Sequence, residues 1–353
     1  MPSPPEAAPL LAEAITDAAA LERLRPAWQA LWRQAPEATP FQSPEWLIPW
    51  WRHVGEGELL TLAIRRPPAE ALVGLVPLYI HTQPDGRRLV FPLGMGTTDY
   101  LDALALPGQA AVVMDCAFRH LAARRARWDA CEWPQLREGA VLLAGEAPPG
   151  WQDQRAEGAP CPFLPLPQSR NAPIEAIPPR MWQNLRTARH RAERQGRLHW
   201  ERATAASLAD LFEAQLDLHR ARWAERGESG VLAEPAVQAA HREALPGLLA
   251  NGTLRLHALR LEGRVIATLY ALADRPGIAA RRVYFYLSGF DPRFAALSPG
   301  ALALEHAVHD AVAEGATSFD FLRGGEAYKY RWGARDAPTF RRLVQPAPED
   351  PPD

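Results

Sequence analysis

The same order of elements is legible twice along this chain, at an offset of about 190 residues. In the first half, a helix over Asp17–Gln34 and a helix start at Ser43-Pro44 precede three strand patterns, Leu59–Arg66, Ala71–Ile80 and Arg87–Leu93. Pro84-Asp85-Gly86 is a turn signal between the last two. A loop, Gly94–Gly108, then leads to an apolar-periodic helix, Gln109–Arg125, and a short strand near Trp128–Trp133. In the second half, helices over Met181–Arg197, Ser207–Glu225 and Pro235–Ala250 precede strands Thr253–Leu261, Arg264–Ala273 and Arg281–Ser288. Glu262-Gly263 reads as a tight hairpin turn. A loop, a helix over Pro299–Glu314 and a short strand over Ser318–Leu322 follow. The two loops align as Asp99-Tyr-Leu-Asp-Ala-Leu-Ala-Leu-Pro-Gly108 on Asp291-Pro-Arg-Phe-Ala-Ala-Leu-Ser-Pro-Gly300, with Asp, Ala, Pro and Gly shared. Long-period self-similarity constrains the fold more than any composition does.

The repeat predicts a mixed α/β (α+β) chain of two tandem domains, each a mostly antiparallel sheet flanked by helices. The boundaries expected are a helical segment 1–40, a first domain 41–178, a second domain 179–345 and a disordered tail 346–353. Residues 145–180 are Pro-rich and mark the junction, with Phe163–Leu166 a possible further strand. A length of 353 residues suits two domains.

Charge and residue usage exclude several functions. The net charge of −2 gives no global basic field for nucleic acid. The longest apolar run, Ala71–Ile80, is about half a membrane span. The first residues carry acids where a secretory signal needs Lys or Arg. A cytoplasmic protein with no membrane partner is expected. Of 39 basic residues, one, Lys329, is lysine. It lies in Tyr-Lys-Tyr, so a Walker A loop is excluded. Cys116, Cys131 and Cys161 are far apart, with no CxxC, and are expected to be buried thiols. His306 and His309 lie one helical turn apart beside Glu305 and Asp310, but lack HExxH and a third ligand, so no metal is expected. The Trp46, Trp50 and Trp51 cluster has core spacing.

Two stretches concentrate chemistry. In Leu297-Ser298-Pro299-Gly300-Ala301-Leu302, Ser298 is a natural N-cap and Pro299 a natural first helical residue. Gly300 lets a ligand approach the backbone, and the free N–H groups of a helix start attract anions. The first copy has Leu106 where the second has Ser298, so a phosphate is expected in the second copy. In Phe319–Gly333, a short strand runs into Gly324-Gly325, and Asp320, Arg323, Glu326, Tyr328, Lys329, Tyr330, Arg331 and Trp332 crowd together. His219, Arg222 and Trp223 share one helix face within possible reach of a substrate.

Several pieces together resemble the CelD type of acetyltransferase, a branch of the GNAT superfamily. They are the basic helix NLRTARHRAERQG, the segment LDLHRARWAERG, the hairpin LRLHALRLEGRVIATLYAL, the stretch YFYLSGFDPRFAALSPGALALEHAVHDAVAEG and SFDFLRGGEAYKYRWG. FQSPEWLIPWW, GLVPLYI and GTTDYLD in the first half are similar to that family's N-terminal region. The resemblance implies tandem GNAT-like domains, as in FemABX-type transferases, and acyl transfer from acetyl-CoA or another acyl-CoA to a small amine or sugar-like hydroxyl acceptor. It also implies that Tyr286, Leu287 and Ser288 line the pantetheine arm. Ser298, Gly300, Ala301 and Leu302 then meet the pyrophosphate, and Arg293 the 3′-phosphate. The usual Gln/Arg-x-x-Gly-x-Gly/Ala loop is absent, with only Gly300 remaining. Glu326 is the favoured base, with Asp320 and, from the first domain, Asp99 or Asp102 as the other candidates, and Tyr328 is the candidate acid for the leaving thiolate. A bulge near Leu287 could supply an oxyanion N–H. Asp99, Asp102, His219, Trp223, Arg323, Lys329 and Trp332 are candidate acceptor contacts. Two alternatives accompany this reading: an aminoacyl-tRNA-dependent transferase, supported by the basic run Arg186–Arg197, and a non-catalytic component of polysaccharide synthesis.

Overall fold

A computed structural model describes residues 8–224 and 227–347. By contacts the chain divides into two units, residues 1–158 with 338–353, and residues 159–337. The chain therefore returns to its first unit at the end. The division lies within the Pro-rich stretch 145–180, about twenty residues before the expected bound at 178, and the last strand, expected in the second domain, belongs to the first unit. The expected tail 346–353 falls almost wholly outside the described residues.

The first unit contains β1 (Leu11–Ile15), α1 (Ala18–Arg23), α2 (Arg25–Gln34), α3 (Pro44–His53), β2 (Glu58–Leu59), β3 (Thr61–Arg65), β4 (Leu72–Val76), β5 (Leu78–Thr82), β6 (Arg88–Pro92), β7 (Leu104–Ala105), α4 (Ala110–Ala122), β8 (Ala130–Arg137) and β9 (Trp151–Glu157). The second contains β10 (Cys161–Pro165), α5 (Pro179–Glu193), β11 (Leu198–Arg202), α6 (Leu208–Ala224), α7 (Pro235–Ala250), β12 (Leu254–Leu261), β13 (Arg264–Ala273), β14 (Arg282–Phe290), α8 (Pro299–Ala313), β15 (Ser318–Asp320), α9 (Ala327–Arg331) and β16 (Arg335–Ala337). The closing strand, β17 (Thr339–Pro346), belongs to the first unit.

The two units share a strand plan. In the second, the sheet runs β11-β12-β13-β14-β15-β10-β16, antiparallel except for the β14–β15 crossover through α8. In the first, one sheet runs β2-β5-β6-β8-β17-β9, antiparallel except for the β6–β8 crossover through α4. A second sheet, β1-β3-β4-β7, continues the β2 and β5 strands past breaks at Leu60 and Pro77. A parallel pair needs such a crossover, and a helix is its usual form. Each unit buries its own core. In the first, Trp28, Trp32, Trp128 and Trp133 are fully buried, which accommodates much of the tryptophan.

In the second unit, opposite faces of the sheet receive different helices. Alternate β13 residues Ala267, Leu269 and Ala271 join a core with α8 and α5 residues. Tyr270, on the other face, meets His241 of α7, hydroxyl to Nδ1 at 3.4 Å. The three cysteines are buried thiols outside any disulfide. No described helix is long and apolar enough to cross a membrane.

Candidate active site

The site begins with a strand that loses a neighbour. Along one edge, β14 pairs with β13 from Val283 to Phe290. Along the other it pairs with β15 only at Arg282, Val283 and Tyr284. From Phe285 onward that edge is free of strand pairing, so the sheet opens into a split. The β13 register shifts there: Tyr270 faces Leu287 and Ala271 faces Phe285, leaving Tyr286 as the extra residue of a bulge. Phe285, Ser288 and Phe290 stand opposite Ala271, Leu269 and Ala267, on the α5 and α8 face. Tyr286 faces the other way, its hydroxyl 3.5 Å from His241 Nε2, and Leu287 lies opposite Tyr270.

The start of α8 closes one end. A 3₁₀ turn, Pro292–Leu297, leads into Ser298, whose backbone is left-handed at φ 53°. Its hydroxyl makes no capping bond, which corrects the expected side-chain cap. An extended backbone at that position would aim the hydroxyl at the next N–H groups; the left-handed one does not. The Ser298 carbonyl instead takes the N–H groups of Ala301 (3.0 Å) and Leu302 (3.2 Å). At Gly300 a methyl group would meet only Phe290 Cδ1, at 3.4 Å, an ordinary contact. Packing does not require glycine there; the bare backbone faces open space.

That space is a cleft of about 380 Å³. Met181, Asn184, Leu185 and Ala188 of α5 form one wall, and Phe285, Ser288 and Phe290 of β14 another. Ser298, Gly300, Ala301 and Leu304 close the α8 end, and Tyr328, Arg331 and Trp332 come from α9 and its C-cap. Arg222 of α6 reaches in, its guanidinium donating to Ser288 Oγ at 2.8 Å and lying 5.6 Å from the Phe290 ring centre. The approach depends on Gly289: any Cβ there would come within 2.6 Å of the His219 backbone on α6.

Of the residues singled out in the sequence, Arg222, Ser288, Ser298, Gly300, Ala301, Tyr328, Arg331 and Trp332 meet in this cleft. Leu302 is buried behind it in the core. Arg293 lies outside the lining, held by Asp291 in a two-pronged pair at 3.0 and 2.8 Å. Asp320 is buried and accepts the Leu322 N–H at 2.7 Å. Lys329, also buried, donates to the carbonyls of Leu322, Arg323 and Gly324 at 3.0, 2.9 and 3.0 Å. Its ammonium thus holds the turn after β15. Glu326 pairs with it at 2.9 Å, and its own side chain is 57% exposed and outside the lining. Arg323 is exposed on the same turn. His219 is buried against Trp223, and burial with the nearby Arg222 charge pushes its pKa down to about 4.

Asp99 and Asp102 belong to the first unit. Asp102 is buried and accepts from the backbone N–H groups of Ala103 (2.7 Å), Leu142 (3.0 Å) and Val141 (3.1 Å). Burial raises its pKa to about 6 against those bonds. Asp99 is half-buried in the same loop.

The basic helix is partly structural. Arg189 pairs with Glu305 of α8 at 2.8 Å, and Arg191 donates to the Ala296 carbonyl just before α8. His306 stacks flat on Trp200, ring centres 4.2 Å apart. Among the described residues, no group of three or more His, Cys, Asp or Glu could hold a metal ion.

Met181, Asn184, Leu185, Ala188, Phe285, Phe290 and Leu304 complete the lining without having been singled out in the sequence. Phe290 follows from strand alternation once Ser288 is placed, whereas Phe285 reaches that face only because the bulge at Tyr286 breaks the alternation. The α5 residues carry no such signal, because they read as the apolar stripe of a helix.

Comparison with known proteins agrees with this geometry. The fold resembles that of FemX, with a TM-score of 0.62 at 11% identity, over 90% of this chain and 95% of that one. It also resembles the C-terminal domain of a putative lysylphosphatidylglycerol synthetase from Agrobacterium fabrum: TM-score 0.55, 13% identity, 92% of each chain. A conserved protein of unknown function from Bacteroides thetaiotaomicron gives 0.54 at 12% identity, over 94% of this chain and all of that one. No match was found among the curated proteins. Residues 179–330, which include all but the last two residues lining the cleft, match the family model of the acetyltransferase (GNAT) domain.

Proposed function

We propose that this protein is a CelD-like acyltransferase that moves an acetyl or other acyl group from a coenzyme A thioester to a small amine or hydroxyl acceptor. The observation that carries the reading is the bare Gly300 backbone at the mouth of a split between β14 and β15. The thioester supplies the activated acyl group; the acceptor gains it as the C–S bond breaks, and the proton lost by the acceptor ends on the thiol. The Gly300 backbone at the start of α8 would hold a phosphate oxygen, since a helix start favours negative charge. The free edge of β14 would pair with the extended arm, and the bulge at Tyr286 offers irregular backbone for an N–H aimed at the reacting carbonyl. Tyr328 lines the cleft, and its hydroxyl would give a proton to the departing sulfur. Alignment of the two reactants in the cleft would contribute the rest, on the order of 7 kcal/mol when reactants are well held.

The test is thermal. Saturating coenzyme A should raise Tm by roughly 5 °C through selective binding to the folded state. An unchanged Tm, with no binding by calorimetry, would defeat the reading. The aminoacyl-tRNA alternative draws on the likeness to FemX and on the exposed arginines of α5. It requires tRNA binding with a steep salt dependence.

A further inference from the structure

Arg222 does something a donor site alone does not ask for. It belongs to α6, which packs on β13 and β14 through the face opposite α8. Yet its guanidinium bonds Ser288 Oγ and covers the Phe290 ring, both on the α8 face. The side chain therefore comes around the unpaired edge of β14, through the split. It enters the cleft over the Phe290 ring, whose Cδ1 also lies 3.4 Å from where a Gly300 Cβ would stand, so the experiment below must separate an acceptor anion from a donor phosphate. Arg331 adds a second cation, and no described residue lining the cleft is Asp or Glu. The lining thus holds two cations and no anion, and is otherwise largely apolar, with Leu185, Phe285 and Leu304. A half-buried guanidinium in such surroundings binds anions more strongly than one in water, and its fork fits two oxygens at once.

We infer that the acceptor carries an anionic group, a carboxylate or a phosphate, and that Arg222 is its anchor, with Ser288 holding the guanidinium in register. This rests on the acyl-transfer reading above. It narrows the acceptor to small amines or alcohols that bear such a group at one end and the accepting atom at the other. The anchored anion fixes the far end of the acceptor while the nucleophilic end points along β14 toward the bulge.

The experiment compares matched acceptors on the full chain: glycine with glycinamide, and phosphoethanolamine with ethanolamine. Thiol release at fixed acetyl-CoA gives KM and kcat, and calorimetry gives coenzyme A affinity. The anionic member of one pair should have a KM lower by roughly 10- to 100-fold, the range for a charge-assisted bond. Which pair shows it identifies carboxylate or phosphate. The preference should vanish in Arg222→Met and shrink in Arg222→Lys, which keeps the charge and loses the fork. Equal use of both members of both pairs by the wild type overturns the inference and leaves the acyl-transfer reading standing. So does a fall in coenzyme A affinity as large as the fall in acceptor affinity, which would assign Arg222 to the donor. If coenzyme A does not bind at all, the broader reading fails. Calorimetry of the four acceptors with wild type and Arg222→Lys then still decides, because no preference for an anion would refute the anchor. The wild-type comparison needs no variant to fold.

Discussion

Two loops occupy equivalent places in the two units and do opposite things. In the first unit, β6 pairs with β8 only at Leu89 and Val90, so a split opens there too. The loop after β6 fills it. Tyr100, Leu101 and Ala103 are buried, Leu101 donates to the Gln135 carbonyl of β8 at 3.3 Å, and Asp102 ties the loop to the turn at Val141–Leu142. In the second unit, the loop after β14 winds into a 3₁₀ turn instead and leaves the split as a cleft. Beneath the sealed loop, Arg342 is fully buried between Asp153 and the carbonyls of Leu142, Ala144 and Gly145. One strand plan thus serves once as a closed scaffold and once as a container. The difference lies in about ten loop residues, not in the sheet.

That contrast can be broken most forcefully from the sealed side. Arg342→Ala should destabilise the first unit by about 3–5 kcal/mol, because Asp153 and three carbonyls lose a fully buried partner. Urea unfolding reads it, and a loss under about 1 kcal/mol would mean the interior is not closed as described. Asp102 gives the next effect. Its folded pKa of about 6 exceeds the ordinary value of 3.8, so the folded state holds the proton more tightly. The stability this supplies is complete below about pH 4 and is lost as pH rises through 6, up to about 3 kcal/mol. Wild-type stability minus that of Asp102→Asn should therefore fall between pH 4 and pH 7; a flat difference would show that Asp102 is not buried.

The aligned glycines sharpen the comparison. Gly300→Trp should cut coenzyme A affinity about 100-fold by calorimetry and leave Tm within a degree or two. Gly108→Ala should leave affinity alone and cost about 1 kcal/mol, since Gly108 has φ 72° and nothing near its Cβ position. Equal effects at the two positions would erase the proposed asymmetry. The smallest change is expected at Glu326→Gln. With its carboxylate paired to Lys329 outside the lining, kcat should move less than about threefold; a hundredfold loss would make Glu326 the base after all.

How far the sequence could be read follows from locality. The β12–β13 hairpin was legible because Glu262 and Gly263 both adopt positive φ, 48° and 79°, as a two-residue turn demands. The helix after Ser298 was legible from Pro299, and its bounds differ by a residue. β9, with the polar run Trp151–Glu157, and β17, interrupted by Arg341-Arg342, carry no alternation that marks a strand. Their strand character comes from each other and from β8, more than 170 residues away for the first of those pairings. The site was legible where it is backbone, at Ser288 and Gly300. It was not legible at Lys329, because three carbonyls from a neighbouring turn consume its donors, and composition cannot show that.

The position of β17 has a consequence for how the molecule is made. A ribosome would release every residue of the second unit before the strand that inserts between β8 and β9. The second unit can thus fold as one continuous stretch, while the first must hold an incomplete sheet until synthesis has nearly ended. A stop codon at Pro338 or Thr339 would leave the cleft-bearing half whole and cripple the half at the opposite end of the chain.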